Sequence, residues 1–172
     1  NQEVDKKAQW EYFVNIEKLT KGVPLQHITH TQEFMKMDFF VNENVLIPRP
    51  DTEILVEEVI NLAKKIDNPR ILDLCTGSGA IAISIAKNVP SAEVLAIDIS
   101  EKALEVAKKN AHRLQAKVKF KKSNLFSNIG KMKFDIIVSN PPYIKKTDIK
   151  LLSNEVQKEP EIALDGGYDG LD

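Results

Sequence analysis

Apolar and polar positions change rhythm several times along the chain, and each change marks an element. Trp10, Phe13, Ile16 and Leu19 recur at helical spacing, so residues 1–20 read as a helix that Gly22 and Pro24 end. Residues 25–47 alternate loosely through "FMKMDFFVNENVLI", which predicts a short hairpin with "NEN" as its turn. In "RPDTEILVEEVINLAKKID", Asp51 or Thr52 can cap a helix start. Glu53 in the first turn and Lys64 and Lys65 in the last suit the helix dipole. Leu55, Val59, Leu62 and Ile66 form one apolar face.

After Pro69, strand and helix alternate. "RILDLCTG" reads as a short strand, and "SGAIAISIAKNV" as a helix apolar nearly all round, hence well buried. "AEVLAIDIS" is a second strand. Ser100 can cap the helix that follows, whose Leu104, Ala107, Ala111 and Leu114 share a face. "AKVKFKK", with lysines alternating with Val118 and Phe120, reads as a protected edge strand. "KFDIIVSN" is a fourth strand, and a last helix is expected over about 147–157. This order predicts an α/β fold with a Rossmann-like, doubly wound, mostly parallel sheet behind a short helical and hairpin extension. Ligands of such sheets bind beyond the carboxyl ends of the strands, where strand order reverses.

Composition narrows the function classes. With a formal net charge of -1, the chain has no bulk attraction for nucleic acid or membrane. Its one cysteine, Cys75, cannot form an internal disulfide, which reads as a reducing, cytoplasmic setting. No apolar run approaches the ~20 residues of a membrane span, and no signal peptide is visible. The chain begins at Asn1 rather than methionine and stops at "GGYDGLD", so it reads as an excised piece of a longer protein.

Three motifs fall at carboxyl ends of strands. "DLCTGSG" (73–79) turns from strand to buried helix, and Gly77 and Gly79 allow a tight turn and close approach of a ligand. No Gly-Lys-Ser/Thr follows, so it is not a P-loop, and its glycine spacing is not that of the dinucleotide fingerprint. Asp98 ends the second strand, about 20 residues beyond, where an acid can accept from both ribose hydroxyls. Loop and acid together point to an adenosine-containing cofactor, with S-adenosylmethionine and NAD both open. The third motif is "SNPPYI" (139–144). An amide or aromatic-amine nitrogen is a poor nucleophile because its lone pair is delocalised. The Asn140 side-chain carbonyl and the Pro141 backbone carbonyl can take its two hydrogens and aim the lone pair. Tyr143 can stack on the planar group. Such chemistry is mostly positioning and needs neither metal nor strong base.

Together these motifs resemble a class I S-adenosylmethionine-dependent methyltransferase acting on a planar nitrogen, a pattern shared by adenine and glutamine methyltransferases. "GVPLQHITHTQEF" (22–34), "VLIPRPDTEILVEE" (45–58) and "EPEIALDGGYDGLD" (159–172) resemble the HemK/PrmC group, the release-factor glutamine methyltransferases. The resemblance implies methyl transfer to the glutamine amide of a release factor's Gly-Gly-Gln motif, with S-adenosylhomocysteine as product. It implies that Cys75, Thr76, Gly77, Ser78 and Gly79 cradle the methionine part of the cofactor and that Asp98 holds its ribose. Asn124 and Leu125 contact the adenine. Asn140, Pro141, Pro142 and Tyr143 hold the glutamine, Asn140 also lying against the cofactor, and Arg49, Thr52 and Glu53 wall the site. Cys75 stands where the family often has glycine, and Asn124 where aspartate is usual. Residues 1–24 correspond to part of the family's N-terminal helical domain, 25–50 to its linker and hairpin, and 51–172 to a catalytic domain lacking the later strands. That lack would leave apolar surface exposed on the fourth strand.

Other signals carry less. His27 and His30 in "HITH" lack a third metal ligand nearby, and no metal is expected. "KKNAHR" and "KVKFKK" read as solvated faces, though they could steer a ribosome-associated partner. The alternative activity is methylation of an adenine in DNA or RNA, which the neutral charge disfavours. An NAD-dependent oxidoreductase lacks the glycine spacing and a hydride relay, and a fragment that only binds a partner is the remaining reading.

Overall fold

The computed structural model describes residues 5–171; the start of the helix expected over 1–20 lies outside them. Helix α1 (Lys6–Thr20) buries none of its residues, and Trp10 and Phe13 stand exposed on it. After α2 (Leu25–Thr29), strands β1 (Gln32–Phe34) and β2 (Met37–Phe39) pair as an antiparallel hairpin. Its turn is Met35–Lys36, not "NEN". Both turn residues have positive φ (50° and 58°), as a two-residue turn matching strand twist requires. Asn42–Val45 is a separate turn in which the Asn42 side chain accepts from the Asn44 N–H. The hairpin belongs to the main core: Phe34 and Phe39 are buried with Val56, Ile60, Ile83 and Val138.

Helix α3 (Asp51–Ala63) forms as expected, but its cap position is Pro50, with no side-chain cap bond. Its buried face is Val56, Val59, Ile60 and Ala63, rotated from the expected Leu55–Val59–Leu62–Ile66 stripe; Leu55 and Leu62 are exposed. The helix is apolar over more than half its circumference, so periodicity alone does not choose the face.

The sheet follows the expected alternation: β3 (Arg70–Leu74), α4 (Ala80–Asn88), β4 (Glu93–Asp98), α5 (Glu101–Arg113), β5 (Val118–Lys122) and β6 (Ile136–Ser139). All pairings are parallel and the order is β5-β4-β3-β6, so the chain reverses direction across the sheet between β3 and β6. Helix α4 is buried from Ala80 to Ile85, and Ser100 caps α5 by accepting from the Ala103 N–H. Register places Leu74, Ile97 and Ser139 in one row, so Cys75, Asp98 and Asn140 emerge on one rim. Among the described residues β6 pairs only with β3, and Ile137 is 51% exposed, the apolar surface expected of the fourth strand.

No α-helix covers 147–157. The segment holds two single 3₁₀ turns, Ile149–Leu151 and Val156–Lys158. The Gln157 side chain donates to the Leu152 carbonyl and the Ser153 hydroxyl accepts from the Val156 N–H. Such side chains offer the backbone an alternative to helical bonds.

Candidate active site

The loop after β3 turns by left-handed backbone at Cys75 (φ 59°), Gly77 (φ 55°) and Gly79 (φ 82°). A side chain at 75 accepts this strained conformation, which accounts for glycine being the easier residue there. The two glycines serve different ends. A Cβ on Gly77 would meet nothing within 4 Å, so open space lies over the loop there. A Cβ on Gly79 would lie 2.9 Å from Ile83 and 3.1 Å from Ala107, so Gly79 lets α4 pack against α5 and stands behind the cleft rather than in its wall.

Asp73 anchors the loop from beneath. One carboxylate oxygen accepts from the Thr76 hydroxyl (2.6 Å) and the Ala82 N–H (3.2 Å); the other is buried with no partner among the described residues. Burial pushes this carboxyl up to about 7, against the pull of those two hydrogen bonds. Burial also pushes the Cys75 thiol up, helped by the nearby charge of Asp98. Asp73 opens the loop motif in the sequence, and the fold makes it the buried anchor of the loop.

Asp98 accepts from the Gly77 N–H (2.9 Å) and the Ser100 N–H (2.8 Å), which fixes its carboxylate at the rim. A carboxylate offers about four acceptor positions, so others remain for a ligand. Cys75, Thr76, Gly77, Ser78 and Asp98 line one cleft, with Asn124 and Leu125 across from β5 and with Asn140 and Pro142 from β6. The Ser123 hydroxyl shapes the 124–128 turn by donating to the Leu125 carbonyl and accepting from the Asn128 N–H.

A second cavity, about 450 Å³ and within the size range of small-ligand sites, adjoins the first. Pro141, Tyr143, Leu55 and Asp51 line it, and Leu46, Arg49, Thr52, Asn140 and Ala163 belong to both walls. The Asn140 amide nitrogen faces the Thr52 hydroxyl at 3.4 Å. Neither its carbonyl oxygen nor that of Pro141 meets a donor among the described residues. Tyr143 is 69% exposed at the mouth. Glu53 is not in either wall; its carboxylate accepts from the Met35 N–H at 2.7 Å and holds the hairpin turn. The pattern of the sequence missed Glu159, which is buried and accepts from the Arg49 guanidinium and the Ile47 N–H (2.8 Å). Its partner lies 110 positions away, beyond any local signal. His27 is buried, and burial pushes its imidazole down. Among the described residues no cluster of His, Cys, Asp or Glu could hold a metal, and no helix is long and apolar enough to cross a membrane.

The residues of this cleft suit an adenosine-bearing cofactor. They offer an open approach over Gly77, a fixed carboxylate at Asp98 and an apolar floor from Ile81, Ile97 and Ile99. The fold is the Rossmann-like α/β methyltransferase fold. It is shared with a Pyrococcus abyssi tRNA (uracil-54, C5)-methyltransferase in complex with S-adenosyl-L-homocysteine (TM-score 0.53, 24% identity, 64% of this chain and 27% of that one). It is shared also with a SAM-dependent methyltransferase from Agrobacterium tumefaciens (TM-score 0.54, 24% identity, 66% and 40%). The methyltransferase small domain family matches residues 50–166, and the chain belongs to that family. Its relatives include the release factor glutamine methyltransferases of Geobacter sulfurreducens (46% identical over 158 residues, 91% of this chain and 55% of that protein) and Clostridium acetobutylicum (45% over 175 residues, 99% and 61%). The chain thus spans somewhat over half the length of these curated relatives.

Proposed function

We propose that the protein containing this chain methylates the side-chain amide nitrogen of the glutamine in the Gly-Gly-Gln motif of a peptide chain release factor. The observation that carries the reading is that Asn140 stands in the wall of both cavities, and that among the described residues no donor meets its side-chain carbonyl or the Pro141 carbonyl. The names and extent of the relatives support the same substrate.

S-adenosylmethionine, when bound, supplies an electrophilic methyl group. Cys75, Thr76, Gly77 and Ser78 would hold its methionine part, Asp98 its ribose, and Asn124 and Leu125 its adenine, with Gly79 setting the loop from behind. Thr52 holds the Asn140 amide so that its oxygen is left for the substrate. That oxygen and the Pro141 carbonyl accept the two amide hydrogens of the glutamine. Bonding in this way aims the nitrogen lone pair at the methyl carbon and stabilises the positive charge that gathers on nitrogen as its conjugation is lost. The paired prolines limit reorganisation of the corner, and Tyr143 covers the planar group with Pro142 beside it. Orientation of this kind can supply ~7–11 kcal/mol. The nitrogen's proton leaves afterwards to solvent, so the chain provides no strong base. A release-factor substrate would place the protein in the cytoplasm, within reach of the ribosome.

Radiolabelled methyl transfer by the full-length protein decides the matter. Label should enter a purified release factor and vanish when the motif glutamine is replaced by alanine. Label entering duplex DNA or RNA instead would establish the adenine reading.

A further inference from the structure

The segment from Glu159 to Gly170 touches both sides of the second cavity. At one end the Glu159 carboxylate, buried and therefore dependent on its partners, accepts from the Ile47 N–H and the Arg49 guanidinium. It thereby fixes the wall that Leu46, Arg49 and Thr52 present. Ala163 and Leu164, in and after a single 3₁₀ turn, reach the cavity themselves.

The other end lies directly on the Asn-Pro-Pro-Tyr corner. The Ile144 N–H donates to the Leu164 carbonyl (3.0 Å), and the Gly166 N–H donates back to the Ile144 carbonyl (2.9 Å). The Lys146 N–H donates to the Gly167 carbonyl (2.9 Å). A Cβ on Gly166 would sit 2.8 Å from the Tyr143 Cα, and one on Gly170 2.5 Å from the Tyr143 carbonyl oxygen. Both distances are below van der Waals contact and both meet backbone, which cannot swing aside as a side chain can. Glycine is therefore required at 166 and 170 by the approach of two main chains. The corner needs such support because its prolines donate no hydrogen bond of their own.

The geometry points to residues 159–170 as a strap that sets the spacing between the Asn140–Tyr143 corner and the Leu46–Thr52 wall. Glu159, Gly166 and Gly170 are then positioning residues, an inference that rests on the second cavity being the amide site. A methyl group added at 170 pushes the Tyr143 carbonyl and widens or tilts the corner without touching the loop at 75–78. Loss of charge at 159 frees Arg49 and loosens the opposite wall.

The test uses full-length protein carrying Gly170→Ala, Glu159→Gln or the control Gly130→Ala. Gly130 also has positive φ (61°), but a Cβ there would meet nothing. Gly170→Ala should lower kcat for the release factor by ~100-fold, as a misplacement near 1 Å can, while calorimetry finds S-adenosylhomocysteine bound as in the parent. It should also speed amide hydrogen exchange at Ile144 and Gly166. Glu159→Gln, which keeps the size of the side chain, should speed exchange at Ile47 and raise KM more than it lowers kcat. Gly130→Ala should do neither. Wild-type kcat in Gly170→Ala, or a loss no greater than that of Gly130→Ala, overturns the proposal. Unchanged exchange at Ile144 and Gly166 overturns it as well. A parent protein inactive on the release factor would instead sink the proposed substrate, and exchange would still judge the strap.

Discussion

Asn110 satisfies both backbone groups of Phe40 at once. Its side-chain oxygen accepts from the Phe40 N–H (2.7 Å) and its nitrogen donates to the Phe40 carbonyl (2.9 Å). The same nitrogen donates to the Ser78 carbonyl (2.9 Å), so one buried amide on α5 joins the hairpin region to the loop of the cleft. Asn110→Ala strands three backbone groups and should cost about 2–4 kcal/mol of stability. Urea denaturation reads it directly; a loss within experimental error would mean that water replaces the amide without penalty.

Asn140→Ala should lower kcat by ~100–1,000-fold, the range for removing one donor or acceptor aimed at developing charge. Binding of S-adenosylhomocysteine, measured by calorimetry, should persist. Thr52→Val should give a smaller loss of the same kind, since Thr52 only orients the Asn140 amide. Full activity in Asn140→Ala would remove the chemistry from this corner.

Asp98→Ala should weaken binding of S-adenosylhomocysteine by ~10–100-fold, corresponding to hydrogen bonds to a charged group of roughly 1.5–3 kcal/mol. Asn124→Asp should tighten it, because an ionised acceptor bonds an amine more strongly than an amide does. Equal affinity in all three proteins would mean that adenosine docks elsewhere.

The Asp73 carboxyl gives stability a pH dependence whose sign can be worked out. The folded chain keeps the proton up to about 7, whereas the unfolded chain loses it near ~3.9. Between those values the folded state binds more protons, so this contribution is full at the acid end. It is lost as pH rises through the window to about 7. Asp73→Asn removes the titration. Parent protein should therefore lose more stability than the variant between about pH 5 and about pH 8. Equal losses would show Asp73 ionised throughout.

The sheet and its rim were legible because short apolar runs end in glycine, aspartate or proline, each with its own backbone or polar signature. Cys75 to Ser78, Asp98, Asn124 and Asn140 do converge on one cleft. The hairpin turn was not legible, because Met35 and Lys36 carry none of the usual turn chemistry, while the turn is flanked by the buried Phe34 and Phe39 and held by the distant Glu53 carboxylate. The buried face of α3 was hidden by excess apolar residues. Glu53 lies outside the expected wall and Glu159 went unnoticed for the same tertiary reason: the first is drawn to Met35 and the second to Arg49, contacts that no local pattern encodes.

Leu46, Arg49, Thr52, Asn140 and Ala163 serve two chambers at once. Occupation of either chamber therefore restricts side chains that the other also needs, and linkage makes the effect mutual: whatever factor the first guest imposes on the second is returned unchanged. A compound joining a nucleoside to a carboxamide over a short tether would draw on both halves of that exchange.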